Sequence, residues 1–243
     1  MTSVTTILTA ENLLRIQTEF DTIMDSAKAW PVQTSKNNVT VRKSKDGHWI
    51  GQGSIPLGIA KTFELLTDQQ ARVTWDKVFD VYAYIDTVEF VDVGAVLGEV
   101  AAAADGTVKA GITYSRLTPA VGGMIASRDF VDATVVTKRP GTENKIHDLI
   151  WESLDPVVFK DYVASIKLPA PTKSTGSAVR GRNFLAGARV TKGDGDGESS
   201  CFMEYCIKSD IKGSVPVWLV DMGVGGSLDS IFAELRKEAA KHA

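Results

Sequence analysis

With 243 residues, 44% of them hydrophobic and 23% charged, the chain is too apolar for global disorder and has an ordinary globular composition. Its 27 basic and 30 acidic residues leave a net charge of −3, so no global field exists to hold nucleic acid. No run of 18 apolar residues is present, and Met1–Ala10 lacks the basic start and apolar stretch of a signal peptide; a cytoplasmic location is expected.

The first element is a helix over about 9–29. Thr9 is placed to cap it, Leu13, Ile16, Phe20, Ile23 and Ala27 recur at helical spacing, and Trp30–Pro31 ends it. Asn38–Arg42 then alternates, Asp46–Gly47 signals a hairpin, and Trp49–Ile55 returns. Pro56 precedes a second helix with Ile59, Phe63 and Leu66 on one face, and residues 68–76 add one or two further helical turns. Six β-rich stretches follow: 78–91, 108–117, 129–138, 145–154, 178–190 and 199–210. The segment 93–106 between the first two reads as an extra hairpin or short helix. The acidic, glycine-rich run 192–198 lacks the terminal acid and flanking helices of a calcium loop and reads as a tight turn.

The last element is an amphipathic helix over about 215–241, with Val217, Val220, Val224, Leu228, Ile231 and Leu235 as its apolar stripe. Gly223, Gly225 and Gly226 break its first half, each costing about 1 kcal/mol relative to alanine. Two readings stand: close packing or a kink, or a soft hinge in a lid. Cys201 and Cys206 share one strand at odd spacing, so their thiols point to opposite faces and cannot bridge. His48, His147 and His242 are scattered, which argues against a metal cluster, and no motif requires a cofactor. No Gly-x-Ser-x-Gly and no Cys–His pairing is present, so no catalytic residue is assigned.

The pattern is α+β: a helix, two strands, helices, a run of antiparallel strands, then a long helix. It resembles a helix-grip architecture, a curved antiparallel β-sheet wrapped around a long C-terminal helix, with an internal hydrophobic cavity between them. No linker divides it, so residues 1–243 are read as a single domain.

Several motifs carry a resemblance from about Trp30 to the C-terminus. They are Phe63–Asp68 followed by Trp75–Asp76, Arg128-Asp-Phe-Val131, Val179-Arg-Gly181, and Asp210-Ile-Lys-Gly-Ser-Val-Pro216 before the last helix. In this order and spacing the chain resembles a START (StAR-related lipid transfer) domain. Arg72–Asp76, Ser115-Arg-Leu-Thr-Pro119 and Arg128–Asp132 resemble the small cytosolic subgroup that binds sterols or bile acids. The resemblance implies a monomeric, non-enzymatic carrier of one hydrophobic ligand, a sterol first, with transient membrane contact. It further implies gating by the C-terminal helix and the 156–176 loop, where Leu168 would meet a bilayer.

The ligand-binding residues expected on this basis are Arg72, Tyr114, Ser115, Met124, Phe130, Thr134, Phe184, Val220, Val224 and Leu228. Mitochondrial-type sterol carriers of the family place a buried acid and a buried arginine in the cavity; those positions fall on Ser115 and Thr134 here, so both charges are lost together. A lone Arg72 in the cavity would suit a ligand carboxylate. A bile acid, phospholipid or carotenoid therefore remains an alternative ligand, and a lipid-sensing regulator or a cavity enzyme on the same fold an alternative function.

Overall fold

The computed structural model describes residues 4–90, 107–139, 146–173, 176–194 and 197–242. The 93–106 segment lies outside them, as do the middle residues of the 192–198 turn.

A short helix α1 (Val4–Ile7) leads into α2 (Ala10–Ser26). Thr9 is the N-cap, its Oγ1 accepting from the Asn12 amide at 3.3 Å, and Leu13, Ile16, Phe20 and Met24 form the buried face. Three strands follow: β1 (Val32–Lys36), β2 (Val39–Lys43) and β3 (Trp49–Ile55). Asn37 and Asn38 link β1 to β2 with φ of 53° and 56°, the two-residue left-handed turn that suits a hairpin. Two helices come next, α3 (Ile59–Thr67) and α4 (Gln69–Trp75), the second capped by Asp68, whose carboxylate accepts from the Ala71 amide at 2.7 Å.

The remaining strands are β4 (Phe79–Phe90), β5 (Thr107–Leu117), β6 (Arg128–Arg139), β7 (Ile146–Ser153), β8 (Val179–Arg180), β9 (Arg182–Asn183), β10 (Ala186–Thr191), β11 (Cys201–Ile207) and β12 (Ser209–Asp210), with α5 (Lys160–Ser165) after β7. The chain ends in α6 (Val217–Ala239). The stretch expected as one strand over 178–190 is broken into three pieces. At Gly181 the backbone passes so close to Phe130 that a Cβ would lie 2.4 Å from its ring.

The large sheet is open and runs β1-β2-β3-β11-β10-β7-β6-β5-β4, every neighbouring pair antiparallel, with β8 added parallel to β6. Strand alternation sorts its side chains onto two faces. The convex face packs under α1, α2 and the segment around α5; the concave face packs on α3, α4 and the second half of α6. Cys201 belongs to the concave cluster and Cys206 to the convex one, both buried and unbridged, as their odd spacing requires. Glycine admits a helix on each face. A Cβ at Gly51 would sit 2.9 Å from Phe232 of α6, and one at Gly187 2.8 Å from Phe20 of α2. The fold is therefore α+β with the sheet gripping the C-terminal helix.

That helix is not uniform. Leu228, Ile231, Phe232, Leu235 and Ala239 are buried. In the first half Val217 and Trp218 are 73% and 64% exposed, so the continuous apolar stripe expected from Val217 onward is only partly core. The close-packing reading of the three glycines also fails. A Cβ at Gly223 or Gly225 would find its nearest neighbours at 3.7 and 4.0 Å, and one at Gly226 would meet nothing within 4 Å.

Candidate functional site

The sheet packs closely on the second half of α6; its strand β2 reaches the first half through Lys43 and Asp221, 2.7 Å apart, and a cavity lies beneath that half. Its unfilled space is about 1170 Å³, part of it continuous with solvent. Val220, Val224 and Ile231 of α6 cover it, while the concave residues of β5, β6, β7 and β11 form the floor. Leu117, Ala120, Ile125 and Ala126 close one side from the 117–126 loop. Most of the wall is apolar, as a site for a hydrophobic molecule should be.

Arg72 of α4 stands in this wall with Phe79, Tyr82, Trp151 and Tyr205. It is almost fully buried. Its Nη2 donates to the Tyr205 hydroxyl at 3.0 Å and pairs with Asp76 Oδ2, also at 3.0 Å. The guanidinium lies over the rings of Trp75 and Phe79, at 4.8 and 5.1 Å. Arg72 is therefore not the lone charge the sequence reading assumed. Asp76, one helical turn on, is its partner, and such spacing aligns two side chains on one helix face. Burial raises the phenol pKa of Tyr82 and of Tyr205, so both remain neutral donors at pH 7.

A second polar group lies along β5 and β6. The hydroxyls of Thr113 and Thr134 are 2.6 Å apart. Asp132 accepts from Ser153 Oγ at 2.6 Å and from Asn183 Nδ2 at 2.9 Å, and Asn183 Oδ1 accepts from Ser209 Oγ at 2.6 Å. Burial pushes the Asp132 carboxyl up to about 6. Arg128 also lines the cavity and spends its donors on backbone carbonyls, those of Ala126, Ile211 and Lys212 among them. It thereby fastens the turn that launches α6, and burial lowers its pKa.

Of the ten residues expected at the site, Arg72, Ser115, Phe130, Thr134, Val220 and Val224 surround the cavity. The other four lie elsewhere. Tyr114 is the strand neighbour of Ser115, so alternation turns it to the convex face, where its hydroxyl donates to Asp129 at 3.2 Å. Met124 projects outward from its loop, 65% exposed. Phe184 lies at a corner between the cations of Arg182 and Lys208. Leu228 is spent on the core, against β3. Asp132, Trp151, Asn183 and Tyr205 are cavity residues the motif reading passed over. For Asp132 the signal was present, since it alternates with Phe130 and Thr134 on one strand face.

The described part of the 156–176 loop supplies no lining residue. Phe159, Val163, Ile166 and Leu168 pack on the convex cluster, which turns Leu168 away from the role given it. Its far end is nailed to β4 by Asp80, which accepts from the Thr172 and Lys173 amides, while Arg116 Nη2 donates to the Gly176 carbonyl at 2.7 Å. The loop beside the cavity is 117–126 instead, with Val121 and Ile125 next to Gly223 of α6.

A curved antiparallel sheet gripping a C-terminal helix around an apolar cavity defines a helix-grip fold. No known family model matches the sequence, and no curated protein does. Solved structures do match. Human StAR-related lipid transfer protein 5 superposes with a TM-score of 0.71 at 17% identity, over 96% of this chain and 97% of that one. Human STARD10 gives 0.57 at 17% identity, over 92% and 79% of the two chains. A STAR-related lipid transfer protein from Xanthomonas axonopodis gives 0.55 at 15% identity, over 87% and 98%. The fold is START-like.

Proposed function

We propose that the chain, acting as one unit, binds and transfers a single hydrophobic lipid in this cavity. The observation that carries the reading is the mostly apolar cavity beneath the first half of α6. Its setting in a START-like fold, shared with proteins named for lipid transfer, supports it. A sterol is the ligand we favour. The wall carries neutral donors and acceptors at Ser115, Thr113, Thr134 and Tyr205, and the Arg72 guanidinium in it is already ion-paired with Asp76. The gate is the first half of α6 with the 117–126 loop, for these cover the cavity. Val217, Trp218, Met222 and Met124 are exposed there and would meet a membrane during exchange. No helix among the described residues is long and apolar enough to cross one.

One observation favours a second ligand. Arg128 has no carboxylate partner among the described residues, so an amphiphile with an acidic end, such as a bile acid, could be read by it. The test is native mass spectrometry after incubation with a mixed lipid and sterol pool. One unaltered sterol mass per chain is expected. An acidic steroid mass would favour Arg128 as the anchor. A chemically altered mass would make the protein an enzyme, and no bound lipid mass would overturn the carrier reading.

A further inference from the structure

Resting on the lipid-binding reading, we propose that Asp132, Ser153, Asn183 and Ser209 form a polar subsite that takes the hydroxyl of an alcohol-bearing lipid as hydrogen-bond donor. The direction of each bond in the cluster fixes this. Ser153 Oγ accepts from the Asn183 amide at 2.7 Å, so its one proton goes to Asp132 Oδ1. Asn183 Oδ1 accepts from Ser209, which turns the Asn183 NH₂ toward Asp132 Oδ2. Each carboxylate oxygen thus has one neutral donor and spare acceptor capacity. No ion pair to Asp132 exists among the described residues, although the group is almost fully buried in the cavity wall. A desolvated carboxylate without a cation is costly, and a further donor from the ligand offsets part of that cost.

The nearby charges are committed elsewhere. Arg180 of β8 is held bidentate by Asp129 on the other side of the sheet. Glu152 of β7 pairs with Arg15, Arg182 of β9 with Asp155, and Asp210 of β12 with Lys212. Arg72 of α4 is paired with Asp76, and Tyr82 of β4 and Tyr205 of β11 are neutral. The lining residues of β5 and α6 carry no ionisable side chain. Arg128 of β6 lines the same cavity without a carboxylate, which disfavours a cationic ligand and leaves an alcohol as the donor that fits. With the carboxyl titrating at about 6, the subsite accepts most strongly above that pH.

The experiment compares cholesterol with its 3-methyl ether, which has the same body but no hydroxyl proton. At pH 7.5 the protein is expected to bind cholesterol at least tenfold more tightly, and the preference should fall below about threefold at pH 5. D132N should show the reduced preference at both pH values. Should D132N fail to fold, the pH series on the unsubstituted protein carries the test alone. Equal binding of the two sterols at pH 7.5, or a preference that survives both acid and D132N, overturns the subsite and leaves the lipid carrier standing. If neither sterol nor any lipid from the mixed pool binds, it is the lipid-binding reading itself that fails.

Discussion

The two faces of the sheet treat charge in opposite ways. On the convex face, Asp148 is fully buried yet accepts from Arg139, from Arg189 at 2.8 Å and from Gln17 at 3.1 Å, while Asp21 of α2 reaches both arginines. Two carboxylates and two guanidiniums balance there, and Thr137 completes the set by donating to Gln17. On the concave face, among the described residues, Asp132 has only neutral donors and Arg128 only carbonyls. Matched charges fasten α2 to the sheet. Charges left to neutral partners surround a space where a ligand can finish the pairing.

The hardest way to break this contrast is to unbalance the convex network. Asp148→Ala leaves two buried guanidiniums with Asp21 alone and should cost about 3–5 kcal/mol in denaturant unfolding. A loss under about 1 kcal/mol would mean that the network does not hold α2. Cavity formation in the core is nearly as severe. Phe232→Ala should cost about 3–5 kcal/mol, whereas Val220→Ala, on the same helix but over the cavity, should cost under about 1 kcal/mol and weaken ligand binding instead.

A gentler test sharpens the difference between the halves of α6. Gly223→Ala, Gly225→Ala and Gly226→Ala have room for their methyl groups and should each stabilise by up to about 1 kcal/mol. Together they should slow lipid exchange between vesicles; unchanged exchange with a raised melting temperature would remove the hinge reading. The smallest effect is a titration. The Asp132 carboxyl should show a carbon-13 midpoint near pH 6. Its folded pKa lies above the unfolded one, so between about pH 4 and 6 the native state holds the extra proton. This group therefore favours folding at low pH, and that contribution is lost as pH rises through 6. Asp155 and Asp210, whose carboxyls are lowered by hydrogen bonds, act in the opposite sense. A midpoint near 4 would show that Asp132 is as well solvated or compensated as an ordinary surface acid.

Much of the fold was legible because periodicity is a local signal. Thr9, the apolar spacing of α2 and the opposite-facing cysteines needed only helix and strand geometry. β1 was missed because it is an exposed edge strand, Val-Gln-Thr-Ser-Lys, with no buried face to write an alternating pattern; its Asn37–Asn38 turn was the better clue. The cavity was half legible. Alternation says that Ser115 and Tyr114 oppose each other, but not which one faces α6. The role given to the 156–176 loop came from family resemblance, and contacts distant in sequence, Asp80 with Thr172 and Lys173, tie that loop down instead.

Spacing and composition along the chain carry most of the element types, the α+β class, the glycine-weakened helix and the presence of Arg72, Asp76 and Asp132. Only the tertiary structure decided that Arg72 pairs with Asp76 and that, among the described residues, no cation pairs with Asp132. It likewise decided that the first half of α6 roofs a cavity while the second half fills the core. The reason is physical. A hydrogen bond or ion pair depends on atoms a few ångströms apart, and the partners of Asp132 lie 21 and 51 residues away along the chain, where no local pattern registers them.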